Sequence, residues 1–164
     1  LDGAICQIRP QFIPALYQYR QALASSFMLS ADNAHGVHPN YPEKACPTNR
    51  PYLNEGIVIK YSANQKYTTD GMAAAVFTQI CERAGVPVQK FLNRSDILGG
   101  STLGNISGTQ VALNSVDIGL AQLAMHSPYE TGGIKDTDYL IAAAKEFFRT
   151  SVVEIGSGEY RVKE

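Results

Sequence analysis

The feature that most constrains this chain is a regular alternation between short apolar runs and longer segments with helical periodicity. The apolar runs have strand length and lie at residues 27–31, 56–61, 88–92 and 116–120. The helical patterns cover residues 10–27, 69–85, about 105–113 and about 135–150. Strands that alternate with helices predict one α/β unit, a three-layer sandwich with a mixed, partly parallel sheet. A Gly-rich turn in the tail, residues 151–164, indicates a terminal strand.

The segment from Asp32 to Gly56 interrupts this alternation. It contains four prolines and several asparagines, and this composition predicts a long irregular loop. Loops of this length inside a compact domain are usually functional or disordered. Because it carries two of the three histidines of the chain, we expect it to be functional.

Bulk composition excludes several function classes. A chain of 164 residues with 45% hydrophobic residues can bury a core, and a formal charge of -1 leaves no basic field for nucleic acid. No apolar run approaches the length of a membrane span, and the N-terminus lacks a secretory pattern. The three cysteines, Cys6, Cys46 and Cys81, have no CxxC spacing, and each is interpreted as a small hydrophobe in a cytoplasmic protein.

The sharpest local feature follows the first predicted strand. Asp32, His35 and His38 come at i, i+3 and i+6, at the carboxyl end of a strand, where sites gather in open α/β sheets. A carboxylate and an imidazole are ligands that zinc takes at hydrolytic sites. A polar loop whose histidines bond backbone groups is the alternative that these residues leave open.

Other chemistry-bearing residues are less specific by themselves. His126 is flanked by apolar residues and by itself favours a satisfied core histidine over a metal ligand. The Gly-rich run at 99–104 lacks the lysine of a phosphate-binding P-loop, so a tight turn near a site is favoured. There is no G-x-S-x-G and no H-E-x-x-H, and Cys46 as a nucleophile would need an exposed, electropositive setting.

Several blocks together resemble one known family. The run Ser30-Ala31-Asp32-Asn33-Ala34-His35-Gly36-Val37-His38-Pro39-Asn40-Tyr41 resembles the S-A-D-x-A-H-x-x-H-P-N-Y signature of the aspartyl aminopeptidases, which are dinuclear zinc peptidases. The same family's other motifs are matched in order by Asn49-Arg50-Pro51, Val58-Ile59-Lys60, Gln65-Lys66-Tyr67, Gly100-Ser101-Thr102-Leu103-Gly104 and Gln122-Leu123-Ala124-Met125-His126-Ser127. The resemblance covers residues 25–150 and implies a zinc-peptidase-like fold, incomplete here.

This resemblance implies roles for five residues. Asp32 and His126 would be metal ligands, one to each of two zinc ions in a complete active site. His35, Lys60 and Tyr67 would bind the substrate, a peptide from which the enzyme removes an N-terminal residue, Asp or Glu by preference. A cation such as Lys60 could pair with an acidic group at low dielectric. The family further implies a homo-oligomer, with neither nucleic acid nor membrane as a partner, and His38 receives no role beyond shaping the loop.

The departures from the family pattern concern what this chain lacks. Family members add another His ligand, a bridging Asp, an adjacent Glu-Glu pair that supplies a base and a ligand, and an inserted dimerisation domain. Here all three histidines are already assigned, no two acidic residues are adjacent, and Ala45 stands where some relatives have His. No catalytic base is therefore predicted in this chain.

Two interpretations fit this deficit. In the first, residues 1–164 are the C-terminal segment of the catalytic domain of a zinc aminopeptidase, inactive alone. In the second, they form a non-catalytic paralogue that serves as an assembly or binding module. We favour the first, because Asp32, His35, Lys60, Tyr67 and His126 are all intact and a decaying site would have lost some of them.

Overall fold

The structure, a computed structural model, describes residues 16–163, and the part of the first predicted helix before residue 16 lies outside them. Its helices are α1 (Leu16–Ala24), α2 (Gly71–Arg83), α3 (Leu103–Gln110) and α4 (Ile134–Arg149), with one 3-10 turn at Pro42–Lys44. Its strands are β1 (Phe27–Ala31), β2 (Ala34–His35), β3 (Ile57–Tyr61), β4 (Val88–Leu92), β5 (Asn114–Gly119), β6 (Ala121–Leu123), β7 (Thr131–Gly132), β8 (Ser151–Gly156) and β9 (Glu159–Lys163).

The main sheet has four strands in the order β1-β5-β3-β4. Strand β1 runs parallel to β5 and β3 runs parallel to β4, whereas β3 and β5 are antiparallel. The predicted mixed, partly parallel α/β sheet is therefore confirmed. A second sheet, β2-β6-β7, continues from the ends of β1 and β5, and β8 and β9 form a separate hairpin.

The main sheet has one apolar face, which packs against α2 and α4. Side chains on successive strand residues point to opposite faces, so Ile57 and Ile59 on β3 share a face with Val116 and Ile118 on β5. Phe77 of α2 and Ala143 of α4 are fully buried against them. The helices lie on this face because it is the apolar one.

Helix α2 begins and ends where its local chemistry predicts. The Asp70 carboxylate accepts a hydrogen bond from the Ala73 amide at 2.7 Å, which satisfies one of the unpaired donors of the first turn. Beyond its C-terminus, Gly85 has φ +66°, a conformation that glycine adopts without steric cost.

Helix α3 packs on the other face of the sheet. A Cβ on Gly104 would lie 2.7 Å from Ser30 Oγ and 2.8 Å from Asp117 Oδ1, so only a glycine lets the helix approach this closely. The sheet thus has helices on both faces, which makes the three-layer arrangement.

The predicted bounds of several elements differ from the structure by a few residues, and three differences have a clear cause. The segment 32–56 is not wholly irregular, because β2 and the 3-10 turn lie in it. Helix α3 starts at Leu103, before the predicted residue 105, because Thr102 is its N-cap. The tail forms two strands in place of one, since the turn at Gly158, with φ +75°, reverses the chain.

The hairpin β8-β9 is held against α2. Val162 is buried with Val76 and Ile80, and Arg83 Nη2 donates to the Val162 carbonyl at 2.7 Å. No helix in the part of the chain that the structure describes combines the length and apolarity needed to cross a membrane.

Candidate functional site

The polar face of the main sheet carries Lys60, whose side chain is only 2% exposed. Its Nζ donates to the carbonyl oxygens of Asp32 at 3.2 Å and of Asn33 at 3.3 Å. The Asp32 carboxylate lies 3.9 Å from the same nitrogen and is half exposed. Burial lowers the pKa of Lys60, while the negative charges of Asp32 and Asp117 act in the opposite direction.

The end of β1 is pressed against β5, and this contact places Asp32. The Asp32 amide donates to the Ile118 carbonyl at 3.0 Å. A Cβ on Gly119 would lie 1.9 Å from the Asp32 carbonyl oxygen, so the two backbones meet only because residue 119 is glycine. The carbonyl that accepts from Lys60 is therefore positioned by a tight backbone contact.

The second sheet joins the segment with His35 to the segment with His126. Strands β2 and β6 are parallel, with His35 in register with Gln122. Four residues after Gln122, the turn that carries His126 has φ +54° at Ala124 and +66° at His126 itself. Such left-handed backbone at non-glycine residues costs energy and is concentrated at functional sites. The His126 amide donates to Glu130 Oε1 at 2.7 Å, which supports this turn.

The positive charges near His35 affect its protonation. The pKa of His35 is lowered from its ordinary value, first by partial burial and then by the positive charges of His126 and Lys60. His35 is therefore held toward its neutral form, in which one ring nitrogen can accept a hydrogen bond.

Tyr67 lies on the other side of Lys60. The Lys60 ammonium is 5.3 Å from the centre of the Tyr67 ring, within cation–π range. The ring is buried against Phe91 at 6.3 Å between centroids, in a small cluster with Ala34, Val58 and Ala121. The structure thus gathers Asp32, Lys60 and Tyr67 by direct contact and brings in His35 and His126 through the second sheet.

His38, the remaining histidine, shapes its loop. Its Nδ1 accepts from the Asn40 amide at 3.1 Å, and its ring lies 5.2 Å from the Tyr41 ring. Beside this loop is a cavity of about 420 Å³ whose lining includes His35, Lys44, Cys46 and Arg94. Phe91, which packs against Tyr67, also lines this cavity.

The two described cysteines differ sharply. Cys81 is buried in the core, where removal from water raises the pKa of its thiol to about 12. Hydrogen bonds from Thr48 and Asn49 lower the pKa of the Cys46 thiol to about 6. The burial of both agrees with the small-hydrophobe interpretation, since Cys81 is buried and Cys46 half-buried, but the lowered pKa of Cys46 adds a reactivity that this interpretation does not include. Cys6 lies outside the described residues.

Sequence reasoning missed two buried carboxylates. Asp117 is fully buried and accepts four hydrogen bonds, from the Ser30, Thr68 and Thr102 hydroxyls and the Thr68 amide. Asp136 is equally buried and accepts from the amides of Asn54 at 2.7 Å and Gly56 at 3.1 Å. The available signal for Asp117 was a lone acid within an apolar strand, since charged residues are buried only when they are bonded.

The donor chemistry at this end of the sheet fits part of a zinc site. Asp32 supplies an accessible carboxylate and His126 an exposed imidazole, both of which are zinc ligands in proteins. Within residues 16–163 no three His, Cys, Asp or Glu side chains come together as a metal site. These residues therefore offer at most part of a ligand set.

Comparison with known proteins decides the family. A family profile described as aminopeptidase I zinc metalloprotease (M18) matches residues 10–148. The chain belongs to this family. The predicted resemblance to the aspartyl aminopeptidases is thereby confirmed, because that family falls within M18.

Individual relatives of this M18 chain agree. It is 53% identical over 128 residues, 78% of its length, to the probable M18 family aminopeptidase 2 of Clostridium acetobutylicum, and covers 30% of that protein. Its fold superposes with a TM-score of 0.87 at 34% identity on a chain in the structure titled "Cryo-EM structure of the Ape4 and Nbr1 complex", covering 90% of this chain and 28% of that one. It also matches the S. cerevisiae mApe1 dodecamer with a TM-score of 0.71 at 31% identity, covering 79% and 28%.

Proposed function

We propose that this chain is the C-terminal segment of the catalytic domain of a zinc aminopeptidase and supplies the substrate-binding side and part of the metal-binding side of its active site. The proposal concerns a larger protein, because the chain spans about 30% of the length of the curated relatives it matches. The observation that carries it is the gathering of Asp32, Lys60 and Tyr67 at one end of the polar sheet face, with His35 and His126 brought in through the second sheet.

The metal side would consist of Asp32 and His126, one to each of two zinc ions. Bound zinc would supply Lewis acidity for peptide hydrolysis. The Asp32 carboxylate is half exposed and lies 3.9 Å from the Lys60 ammonium, so it is accessible to a metal ion at the edge of the substrate side. A general base and the other ligands are absent from the set proposed here, so we expect the 164-residue chain alone to be inactive.

The substrate side would consist of His35, Lys60 and Tyr67, and we propose acidic N-terminal residues, Asp or Glu, as the preferred substrates. Lys60 is a buried ammonium, and a carboxylate that reaches it would form a charge-assisted bond away from water. The neutral imidazole of His35 would accept a hydrogen bond from the peptide, and the Tyr67 ring would fix the ammonium on its other side.

We further propose a homo-oligomeric, cytoplasmic enzyme. One structural neighbour is a dodecamer by its own description. The free thiols of Cys46 and Cys81 suit a reducing compartment. Sedimentation of the full-length protein would test the assembly, and a monomer would contradict it.

The function is tested by measuring peptidase activity of the full-length protein after chelation and after zinc is added back. Hydrolysis of N-terminal aspartyl and glutamyl substrates is expected only with zinc, and faster than hydrolysis of a leucyl substrate. Isothermal titration with zinc gives a second readout, in which Asp32→Asn and His126→Ala weaken binding by about 10–100-fold or more. His38→Ala is the matched control and should leave zinc affinity unchanged.

Different results would reject different parts of the proposal. Full activity in the presence of excess chelator would reject the zinc chemistry. Zinc-dependent turnover that favours the leucyl substrate would reject only the acidic preference. Complete inactivity of the zinc-loaded full-length protein, with unchanged zinc affinity in Asp32→Asn, would favour the non-catalytic binding module.

A further inference from the structure

The polar face of the sheet contains a second buried group, Asp117, whose side chain accepts hydrogen bonds from Ser30, Thr68 and Thr102 and whose charge acts on Lys60. It lies on β5, in register with Ser30 of β1, and is fully buried. Its Oδ1 accepts from Ser30 Oγ at 2.6 Å and from Thr102 Oγ1 at 2.8 Å. Its Oδ2 accepts from the Thr68 amide at 2.6 Å and from Thr68 Oγ1 at 2.9 Å.

These four bonds reach three separate segments that border the site. Ser30 precedes Asp32 by two residues on β1, Thr68 directly follows Tyr67, and Thr102 is the N-cap of α3. The main chain of Asp117 also binds the Tyr67 loop, because its amide donates to Thr69 Oγ1 at 2.9 Å. Asp117 therefore joins the strand that leads to Asp32 and the loop that carries Tyr67.

The chemistry of this junction favours a carboxylate. A carboxylate offers about four lone-pair positions on two oxygens, and all four are used here. An asparagine in the same place would be uncharged and would accept at one oxygen only. Its N–H₂ group would face either the Thr68 amide, which cannot accept, or the Ser30 and Thr102 hydroxyls, which would then have to accept in place of donating. Bonds to a charged acceptor are also about twice as strong as neutral ones.

We infer that Asp117 is a positioning residue for substrate binding, which holds the Tyr67–Thr68 segment against Lys60 so that the substrate side is formed before the substrate arrives. This inference rests on the proposed aminopeptidase function. Two of the four bonds go to Thr68, one of them to its backbone, whereas β1 is also held by its own pairing with β5, so the Tyr67 loop depends more on the Asp117 side chain than β1 does. We therefore expect the loss of Asp117 mainly to raise KM.

A matched control exists in the same chain. Among residues 16–163 Asp136 is the other fully buried aspartate, and it too accepts from backbone amides, those of Asn54 and Gly56. It lies in the first turn of α4 and ties that helix to the segment before β3. A purely structural role for buried aspartates would affect both positions alike.

The experiment compares Asp117→Asn and Asp136→Asn in the full-length, zinc-loaded protein. Both variants should lower the midpoint of thermal unfolding. Asp117→Asn should raise KM for an aspartyl substrate by about 10-fold or more, with kcat changed less than about threefold, the size typical of groups that orient a site without touching the substrate. Asp136→Asn should leave KM within about twofold of the parent.

A second pair of variants tests the contact itself. Thr68→Ser keeps a hydroxyl on Asp117 and should retain the parental KM, whereas Thr68→Val removes it and should raise KM. An unchanged KM in Asp117→Asn, or equal changes in both aspartate variants, would overturn the inference while the aminopeptidase stands. An inactive parent protein would instead overturn the proposed function, and the inference with it.

Discussion

The two faces of the main sheet are built from the same strands and follow opposite rules. On the face toward α2 and α4, Ile57, Ile59, Val116 and Ile118 pack without polar side chains among them. On the other face, Lys60 and Asp117 are as deeply buried as that core, but each is surrounded by hydrogen-bonding partners. Burial by itself therefore does not distinguish core residues from site residues. What distinguishes them is whether their neighbours are apolar side chains or hydrogen-bonding groups.

The comparison also shows what each face contributes. Apolar burial contributes stability in proportion to the area removed from water and specifies no chemistry. The polar face contributes less stability per group, because each buried charge costs desolvation that its hydrogen bonds only offset. We expect substitutions on the first face to change the free energy of unfolding most and those on the second to change activity most.

The largest effect is expected at Phe77, which is fully buried on the apolar side. Phe77→Ala should lower the free energy of unfolding by about 3–5 kcal/mol, because it removes buried apolar area and leaves a cavity. Denaturant titration of the full-length protein measures this change. A loss below about 1 kcal/mol would show that this face is not the main core.

Lys60→Met is expected to lower activity much more than stability. It keeps the side-chain length but removes the donor to the carbonyls of Asp32 and Asn33, which should cost about 1–2 kcal/mol of stability. Activity on an aspartyl substrate should fall about 100-fold or more, since a buried charged partner is lost. Lys90→Met is the matched control, because Lys90 is exposed on β4. It should change neither the free energy of unfolding nor the activity. An aspartyl preference that survives in Lys60→Met would contradict the assignment of Lys60.

Two glycines of α3 test, with a smaller expected change in stability, how closely this helix packs on the polar face. A Cβ on Gly104 would meet Ser30 Oγ and both Asp117 oxygens within 3.0 Å, so Gly104→Ala should destabilise the protein by about 1–3 kcal/mol. A Cβ on Gly108 would meet only Thr68 Cγ2 at 3.9 Å, so Gly108→Ala should stabilise it by about 0.5–1 kcal/mol. Thermal unfolding of both variants checks the sign, and equal signs would refute the close contact of α3 with Asp117.

The smallest effect concerns thiol reactivity and leaves the fold unchanged. Because the pKa of Cys46 is about 6, its thiolate fraction and its alkylation rate should rise as pH increases from 5 to about 7 and then level off. Thr48→Val should move the midpoint of this rise upward, since it removes a hydrogen bond to the thiol. Peptide mapping after iodoacetamide assigns the label, and labelling of Cys81 at the same rate would contradict its burial.

Much of the secondary structure could be predicted from local chemistry. The strand at Val88–Leu92 was predicted with its observed bounds, and α2 follows its Asp70 cap and its Gly85 stop. The two residues of β2 could not be predicted, because they form a strand only by pairing with β6. The start of α3 differs from the predicted residue 105 because Gly104 gives no helical signal of its own, and its close contact with Ser30 and Asp117 exists only in the folded chain.

The candidate site divides in the same way. The residues predicted for the site come from motifs that are contiguous in sequence. The grouping of Asp32 with Lys60 agrees with their contact in the structure. The roles given to these two residues and to His126 stay predictions. Asp117 and Asp136 carried no motif, and the low pKa of Cys46 depends on neighbours whose geometry a sequence does not specify.

The sequence by itself determined the family, the order of strands and helices and the residue types available for chemistry, because periodicity, caps and motifs are properties of neighbouring residues. The tertiary structure alone decided that β5 runs antiparallel to β3, that Gly119 lets β5 approach the Asp32 backbone, and that one carboxylate joins three distant segments. The physical reason is that burial and hydrogen bonding depend on which segments meet in space, and those contacts exist only after the chain has packed.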